Sequence, residues 1–412
     1  MLKSHVQKSV MPNGITVVTE KIPYVRSVAL GVWITVGSRD ESANDYGISH
    51  FLEHMLFKGT SRRNAQQIAE SLEALGGSLD AFTTKELTCY NAHCLDEHLS
   101  VAVDVIADLI ANSSYDTIEL EKEKDVIINE INTYKDTPDD IIFDHYYEQV
   151  FAGHELAHHI YGNESNVRSF TRDQVLAFRN QEYGANRIVL SVTGNLTHEH
   201  VLSLVEEHFG MLSPAKLRAV EKLTEPEKPT RRIIPEHCNQ AHVCMGDIGI
   251  SYHDEDKFPF LILNTLLGGG MSSLLFQKIR ETHGLVYTIY NFYDFFIDTG
   301  IWGIYFATDQ KNIDQAIALI HEEMSILTKQ PITADMLVKV KNQLKGGLIL
   351  GLESIFSRMN RLSKNEIYLK QHFTLDDIIK RIDAVTPEHV LQMAQKLFQP
   401  DGFTYTIIQP TT

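Results

Sequence analysis

Two histidines and a glutamate stand close together in the segment HFLEH at positions 50–54. On a helix, residues four positions apart share a face, so His50 and His54 can both reach one metal ion. A zinc ion bound by two imidazoles and one carboxylate keeps a fourth position for water and lowers the pKa of that water to about 7. Glu53 lies near the same face and can accept the proton of the water. This order of residues, HxxEH, is the inverted zincin motif.

Two histidines and a glutamate can also fall on one helix by chance and form an ordinary polar face, so a third ligand is needed. Glu130 lies among apolar residues, in the segment VIINEI at 126–131, where an unpaired carboxylate is costly. Glu123 lies two helical turns earlier, where it could accept a hydrogen bond from a ligand imidazole. Glu119 and Glu121 are expected in solvent. Glu130 is therefore the predicted third ligand.

A competing motif, HELAH at 154–158, matches the ordinary zincin order HExxH. Gly153 precedes this segment and Gly162 follows it closely, which leaves barely two turns of helix to hold the two histidines rigidly. Glu182 could serve as a distant third ligand, but it lies in a polar run. We therefore expect a histidine-rich turn here rather than a catalytic site.

An internal repeat divides the chain. Residues 27–41 align with 241–255 at an offset of 214, and both segments have the pattern of a strand that ends in a polar turn. Residues 171–176 match 386–391 at an offset of 215, and both open a helix with a threonine N-cap. Two matches at about half the chain length indicate a duplicated domain.

The repeat predicts an N-terminal catalytic, zinc-binding domain at 1–212 and a homologous C-terminal domain without metal at 237–412. Between them, the segment 213–236 is predicted to be an extended linker, because prolines interrupt both helices and central strands. The linker contains four prolines among charged residues: Pro214, Pro226, Pro229 and Pro235.

The hydrophobic periodicity predicts the fold class. Residues 78–95 alternate like a pair of strands, whereas 116–135 and 334–365 carry helical spacing. Strands that cluster rather than alternate with helices indicate an α+β fold. We expect two homologous domains related by internal duplication, each a mostly antiparallel β-sheet with helices packed on one face.

The repeat also serves as an internal control for the metal site. At the offset of 214, none of the residues opposite the motif and its third ligand can bind zinc, namely Asn264, Leu267, Gly268 and Leu344. The second copy keeps the scaffold without the ligands. We therefore predict one zinc ion per chain.

Composition excludes several classes of protein. The 412 residues contain 37 Lys+Arg against 54 Asp+Glu, a net charge of −17, which argues against nucleic acid or an anionic membrane as a partner and favours cationic partners. No run reaches the roughly 18 apolar residues of a membrane span. Four cysteines are too few for a disulfide framework, so reduced thiols are expected. Reduced thiols indicate a reducing compartment, so we expect a cytoplasmic location, or the mitochondrial matrix if a presequence has been removed.

The chain resembles the pitrilysin/insulinase family of zinc endopeptidases, in particular its short, bacterial-type branch related to the mitochondrial processing peptidase β subunit. The resemblance covers essentially the whole chain. It rests on GSRDE at 37–41, on GISHFLEHMLFKGT at 47–60, and on Glu123 with Glu130. The family's third ligand is a glutamate about 75 residues beyond the motif, a spacing that also corresponds to Glu130.

The resemblance implies how a substrate would be held. The strand that contains Ala81, Phe82 and Thr83 looks like the family's edge strand, onto which a peptide adds as an extra β-strand. Arg280 and Tyr287 match a family pair that steadies the substrate or its developing oxyanion from the second domain. The alternative for this pair is an ordinary solvated helix residue and a packed strand residue.

The resemblance also implies an assembly. Family members cut short or unfolded polypeptides, often basic, inside a closed chamber of four homologous domains. A chain with two domains then needs a second chain, so we expect a homodimer, or a heterodimer with a related chain, with Arg280 and Tyr287 facing the zinc of the partner. The predicted function is a processing-peptidase-like zinc metalloendopeptidase. The alternative is a non-catalytic core or partner subunit of the same fold.

Overall fold

The computed structural model describes residues 5–216, 223, 229–399 and 402–411. The described strands are β1 His5–Val10, β2 Thr16–Lys21, β3 Ser27–Ile34, β4 Ser78–Thr83, β5 Thr88–Leu95, β6 Ile188–Gly194, β7 Arg231–Glu236, β8 Ala241–Ile248, β9 Val286–Phe295, β10 Gly300–Thr308 and β11 Thr404–Pro410.

The described α-helices are α1 Ile48–Leu56, α2 Ala65–Glu73, α3 Leu99–Asn112, α4 Thr117–Lys135, α5 Pro138–Val150, α6 Glu164–Ser169, α7 Arg172–Glu182, α8 His198–Phe209, α9 Lys257–Gly268, α10 Ile313–Lys329, α11 Ala334–Gly351, α12 Ile355–Lys364, α13 Leu375–Ala384 and α14 Pro387–Leu397. Two further stretches, Phe276–Thr282 and Asn365–Leu369, are π-helical. Among the described residues, no helix has both the length and the apolar character needed to cross a membrane.

The strands form two sheets with the same topology. The first has the order β1-β2-β6-β3-β5-β4 and the second the order β7-β11-β8-β10-β9. In each sheet, one pair of strands is parallel, β2 with β6 and β7 with β11, and the other pairs are antiparallel. Apart from the additional strand β1, each strand of the first sheet has a counterpart in the second. The predicted α+β class and internal duplication are confirmed.

The two halves of the repeat also begin the corresponding helices α7 and α14 in the same way. Thr171 caps α7 by accepting the backbone N–H of Gln174, and Thr386 caps α14 by accepting that of His389. The predicted strand pair at 78–95 is formed by β4 and β5. The helical pattern at 334–365 is divided between α11 and α12, and Ser354 caps the second of these helices.

The predicted linker ends differently from our expectation. Its last six residues, Arg231–Glu236, form strand β7. Pro235 is compatible with this strand because β7 is at the edge of its sheet, where a missing N–H does not break a central ladder. Residues 217–222 and 224–228 of the linker lie outside the described residues.

The described residues divide into two compact units that are not contiguous in sequence. The first unit contains 5–133, 158–216 and 351–372, and the second contains 134–157, 223, 229–350, 373–399 and 402–411. The boundaries at 212 and 237 were derived from the sequence repeat. As domain boundaries they stay a prediction.

Each unit includes one helix that comes from the other half of the sequence. In the first unit, α12 packs on β2, β3 and β6, although it comes from the second half of the sequence. In the second unit, α5 packs on β8 and β11, although it comes from the first half. The central strands β3 and β6 are accordingly buried on both faces. Each sheet thus has helices packed on one face, as predicted, and one additional helix on its other face.

Polar and apolar contacts fix α12 on its sheet. Met359 is fully buried, and its Sδ lies 2.5 Å from the position that a Cβ on Gly31 would take, so the sheet needs glycine there. Ser363 Oγ lies 2.6 Å from Ser191 Oγ, and an Arg358 Nη1 donates to Glu20 Oε1 at 2.8 Å. The side chains of α12 therefore belong to the core of the first unit.

Met359→Ala tests this packing. Removing a buried methionine leaves a cavity against the sheet, so we expect a loss of about 2–5 kcal/mol in the free energy of unfolding, measured by urea denaturation. The control is Met271→Ala, at a side chain that is 75% exposed, for which we expect a change within about 0.5 kcal/mol. Equal effects of the two substitutions would contradict the packing of α12 on the first sheet.

Candidate metal centre

A buried carboxylate fixes the first turn of α1. Glu41 Oε2 accepts the backbone N–H of Gly47 at 2.7 Å, and Oε1 accepts that of Ser49 at 2.8 Å. N–H groups at this end of a helix have no partner within the helix. Gly47 has a φ of 94°, and a Cβ there would lie 2.6 Å from the carbonyl oxygen of Tyr161, so the position requires glycine. The start of the helix that carries His50 is therefore held in one place.

The two faces of α1 have different partners. One face enters the core of the first unit with four fully buried side chains, Phe51, Leu52, Met55 and Leu56. His50, Glu53 and His54 project from the other side, where α4 and β4 supply their polar contacts. The apolar face thus anchors the helix and positions the three polar side chains on its other side.

Three acceptor atoms converge between α1 and α4. The Nε2 atoms of His50 and His54 are 3.2 Å apart. Glu130 Oε2 lies 3.8 Å from the first and 3.6 Å from the second. Tetrahedral zinc with bonds of about 2.0–2.1 Å separates neighbouring ligand atoms by roughly 3.3–3.4 Å. The three residues therefore fit a metal ion held by two imidazoles and one carboxylate.

The two histidines have different electrostatic environments. His54 Nδ1 lies 2.8 Å from Glu123 Oε1 and donates its proton there, which leaves Nε2 as an acceptor. Burial, followed by the neighbouring His54, lowers the pKa of His50 to about 3, so this imidazole is neutral near pH 7. Burial acts to lower the pKa of His54, but the hydrogen bond and charge of Glu123, together with the charges of Glu130 and Glu53, raise it overall.

Glu53 is buried and is held from β4. The hydroxyl of Thr83, the last residue of that strand, donates to Glu53 Oε2. Burial raises the pKa of Glu53, the hydrogen bond from Thr83 partly offsets this, and the charges of Glu130 and Asp80 raise it further. A carboxylate whose pKa is raised is a stronger base, which is the direction that general-base catalysis requires.

The acidic side chains of α4 have different environments. Glu123 is buried, whereas Glu119 pairs with the exposed Lys122 and the exposed Glu121 pairs with Lys124. Glu130 is only half-buried, and Val126 beside it is exposed. The apolar residues that surround Glu130 in the sequence therefore do not bury its side chain. The buried isoleucines of α4 face the core, and Glu130 flanks them on the side of His50.

The competing motif at 154–158 does not form a helix that could hold a metal. Its residues Glu155–Ala157 form a single 3₁₀ turn, as expected. His154 belongs to the second compact unit and His158 to the first. Glu182, its suggested third ligand, is buried and forms an ion pair with Arg187 at 2.6 Å. This segment is a histidine-rich turn.

The equivalent region of the second unit is apolar. Leu267 on α9, the counterpart of Glu53, is buried, and Leu344 on α11, the counterpart of Glu130, packs against the core of that unit. Asn264 accepts a hydrogen bond at its backbone carbonyl from the side chain of Asn291 at 3.1 Å. At these positions the second copy therefore has two leucines that pack in its core, together with an asparagine and a glycine.

Arg280 and Tyr287 lie together in the second unit. Arg280, on the π-helical stretch, stacks with its guanidinium carbon 5.0 Å from the ring centroid of Tyr287 and 4.6 Å from that of Phe276. Tyr287, on β9, is 72% exposed, which rules out the alternative of a packed strand residue. Both residues are accessible to a ligand, and their roles toward a substrate stay a prediction.

Sequence reasoning missed one residue beside the candidate centre and underused another. Lys58 donates from Nζ to Glu123 Oε2 at 2.7 Å. The signal was its place in the chain, four residues after His54, in the turn that follows the end of α1. Thr83 was assigned to substrate binding, and its hydrogen bond to Glu53 could not be read from sequence because β4 and α1 are not adjacent in the chain.

Comparison with protein families gives two matches. Residues 16–164 match the family described as insulinase (peptidase family M16), and residues 169–344 match the peptidase M16 inactive domain. The first match includes the convergent histidines and Glu130. The second covers most of the half in which their counterparts are absent.

Similar proteins extend over the whole chain. A protein of Bacillus subtilis named as an uncharacterized zinc protease is 42% identical over 400 residues, 97% of either chain. A protein of Mycobacterium leprae with the same description is 38% identical over 398 residues, 95% of this chain and 88% of the relative.

Solved structures share the fold. A peptidase M16 inactive domain from Pseudomonas fluorescens has a TM-score of 0.92 at 21% identity and covers 99% of this chain and 98% of its own. A protease from Helicobacter pylori has a TM-score of 0.91 at 19% identity and covers 99% of this chain and 100% of its own. With its duplicated fold, its two family matches and relatives similar along almost its entire length, the chain belongs to the insulinase family, peptidase family M16.

Proposed function

We propose that the chain is a zinc-dependent metalloendopeptidase that binds one zinc ion through His50, His54 and Glu130. The observation that carries the proposal is the convergence of two imidazole nitrogens and a carboxylate oxygen, all within 3.8 Å of one another, beside the buried carboxylate of Glu53. The names of the relatives as zinc proteases support it. When bound, zinc polarises a water molecule and the scissile carbonyl.

Glu53 is the general base of this proposal. Its Oε2 accepts a hydrogen bond from the hydroxyl of Thr83, so we assign the proton of the attacking water to Oε1. Glu53 accepts that proton from the attacking water and later donates it to the leaving amine. Glu123 holds His54 in the tautomer whose Nε2 is an acceptor. Glu53 thus carries the proton transfer, and Glu123 orients one of the ligands.

The edge strand β4 is the proposed binding site for the peptide backbone. β4 ends the first sheet, and its register pairs Ala81, Phe82 and Thr83 with β5 on one side. A substrate segment can add to the other side as an antiparallel or parallel strand. Because Thr83 also contacts Glu53, a peptide bond seated along β4 comes close to the general base. Extended backbone binding requires an unfolded polypeptide, which is the substrate class that we propose.

The proposed assembly is a homodimer with a closed chamber in which Arg280 and Tyr287 act on the partner's substrate. The support is the exposed stack of these two side chains in the unit that lacks the metal ligands. A guanidinium and a phenol can donate hydrogen bonds to the oxyanion that develops on the carbonyl. The net charge of −17 favours basic peptides over acidic ones as substrates.

Glu130→Gln tests the third ligand. The substitution keeps the size of the side chain but replaces an anionic ligand by a neutral amide, so zinc content after dialysis against a weak chelator should fall from about one per chain to near zero. Metal analysis of the purified protein gives the result. Glu119→Gln is the control, because this carboxylate is on the same helix and pairs with Lys122 at 2.6 Å. Equal zinc content in the two variants would exclude Glu130 as a ligand.

Glu53→Gln tests the general base. We expect zinc content to stay near one per chain while kcat for cleavage of an unfolded peptide falls by about 10³-fold, because the amide cannot accept the proton. Glu155→Gln, in the competing motif, should keep normal turnover. Activity of Glu53→Gln within tenfold of wild type would refute the assignment. Stoichiometric zinc in the wild type with no turnover on any peptide would instead favour the non-catalytic partner subunit.

A mixing experiment tests the shared site. Arg280→Ala alone should lower kcat by about a hundredfold through loss of an oxyanion donor. In mixed dimers with Glu53→Gln chains, one intact zinc centre meets one intact Arg280, so equal mixing should restore about a quarter of wild-type activity. The measurement is peptide cleavage after co-refolding of the two variants. Absence of any recovery would place Arg280 in its own chain's site or outside catalysis.

A further inference from the structure

We propose that Lys58 is a positioning residue of the metal centre, which acts through Glu123 on His54. The inference rests on the proposed zinc binding and concerns a residue that none of the arguments above requires. Lys58 lies two residues beyond the end of α1, and Glu123 belongs to α4. The pair therefore links the two helices that supply the metal ligands.

Lys58, Glu123 and His54 are joined by two consecutive hydrogen bonds. Glu123 uses its two oxygens for two different donors, since Oε1 accepts from His54 Nδ1 at 2.8 Å and Oε2 accepts from Lys58 Nζ at 2.7 Å. The side chain of Glu123 is 3% exposed, whereas that of Lys58 is 29% exposed. The ammonium thus reaches inward from the surface to a carboxylate that solvent barely contacts.

The second donor restricts the carboxylate. A carboxylate with one hydrogen bond can still rotate about its terminal bond and exchange its oxygens, whereas donors on both oxygens fix the orientation of its plane. A buried anion is also costly unless opposite charge and hydrogen bonds compensate it. Lys58 supplies both the second donor and the compensating charge, and so holds Oε1 in line with His54.

The orientation of His54 then determines the geometry of the ligands. Its ring is fixed by the hydrogen bond at Nδ1, and its Nε2 lies 3.2 Å from that of His50. Partners of metal-binding histidines typically change metal affinity by about 10–100-fold when they are removed. Lys58 is one hydrogen bond further from the metal site than Glu123, but it fixes the orientation of Glu123, the partner of His54. Its predicted effect is therefore on zinc affinity rather than on peptide binding.

The experiment measures the zinc dissociation constant by competition with a chromogenic chelator, without any peptide. Lys58→Met removes the charge and the donor but keeps the length of the side chain, and we expect affinity to fall by about tenfold or more. Lys58→Arg restores both and should bind within about threefold of wild type. Lys122→Met is the matched control, because Lys122 pairs with Glu119 on the surface of α4. Its affinity should not change.

A double-mutant cycle separates positioning from a general loss of stability. Once Glu123→Gln has removed the charged link, adding Lys58→Met should weaken zinc binding by less than about threefold, because the two residues act as one unit. Additive effects, or Lys58→Met binding zinc as tightly as wild type, would overturn the inference. So would an equal loss in Lys122→Met. If the wild-type chain itself binds no zinc, the proposed function fails together with this inference. If the wild type binds and cleaves normally while Lys58→Met is unaffected, the inference alone fails.

Discussion

The structure depends on three acceptor atoms that face one another at 3.2–3.8 Å between two helices. A neutral imidazole that donates at Nδ1 presents a lone pair at Nε2, and an ionised carboxylate presents lone pairs only. Gathering such atoms without a cation is electrostatically unfavourable, so the surrounding structure must hold them in place. The buried face of α1 and the contact of Glu41 with the first turn of that helix do so from within the core. The polar group of the site is thus positioned by apolar packing that is independent of any ligand.

The duplication shows how much of that scaffold is separate from the chemistry. The second sheet repeats the strand order and the mixture of parallel and antiparallel pairs of the first, apart from β1. At the positions of the metal site, however, it carries Leu267 and Leu344, which pack into its core. A protein interior tolerates such a replacement because apolar side chains need only volume and shape, whereas ligands need partners. The same fold can therefore be retained while only one copy keeps the proposed metal ligands.

Several features of the fold and the candidate site could be predicted from sequence because they are local. The spacing of His50, Glu53 and His54 places them on one face of a helix, and the repeat offset identified the duplicated strands and the Thr171 and Thr386 caps. Contacts between distant segments could not be predicted in this way. The hydrogen bond of Thr83 to Glu53, the ion pair of Lys58 with Glu123 and the strand formed by Arg231–Glu236 depend on tertiary placement. Hydrophobic periodicity indicates which side of a helix or strand is apolar. It does not indicate which other helix or strand packs on that side.

The positions of α5 and α12, each packed on the sheet of the other half of the sequence, could not be predicted from periodicity. They also constrain how the chain folds. Both helices look like ordinary amphipathic segments of their own halves, yet each covers the sheet of the other half. Without α12, the central strands of the first sheet would expose the face on which Met359 and Ser363 now pack, including the narrow space above Gly31. Exposed apolar sheet surface promotes aggregation, so a half of the sequence expressed alone lacks the cover that its sheet needs. Folding of the unit that carries His50 and His54 consequently requires residues 355–364, about 300 positions further along the chain.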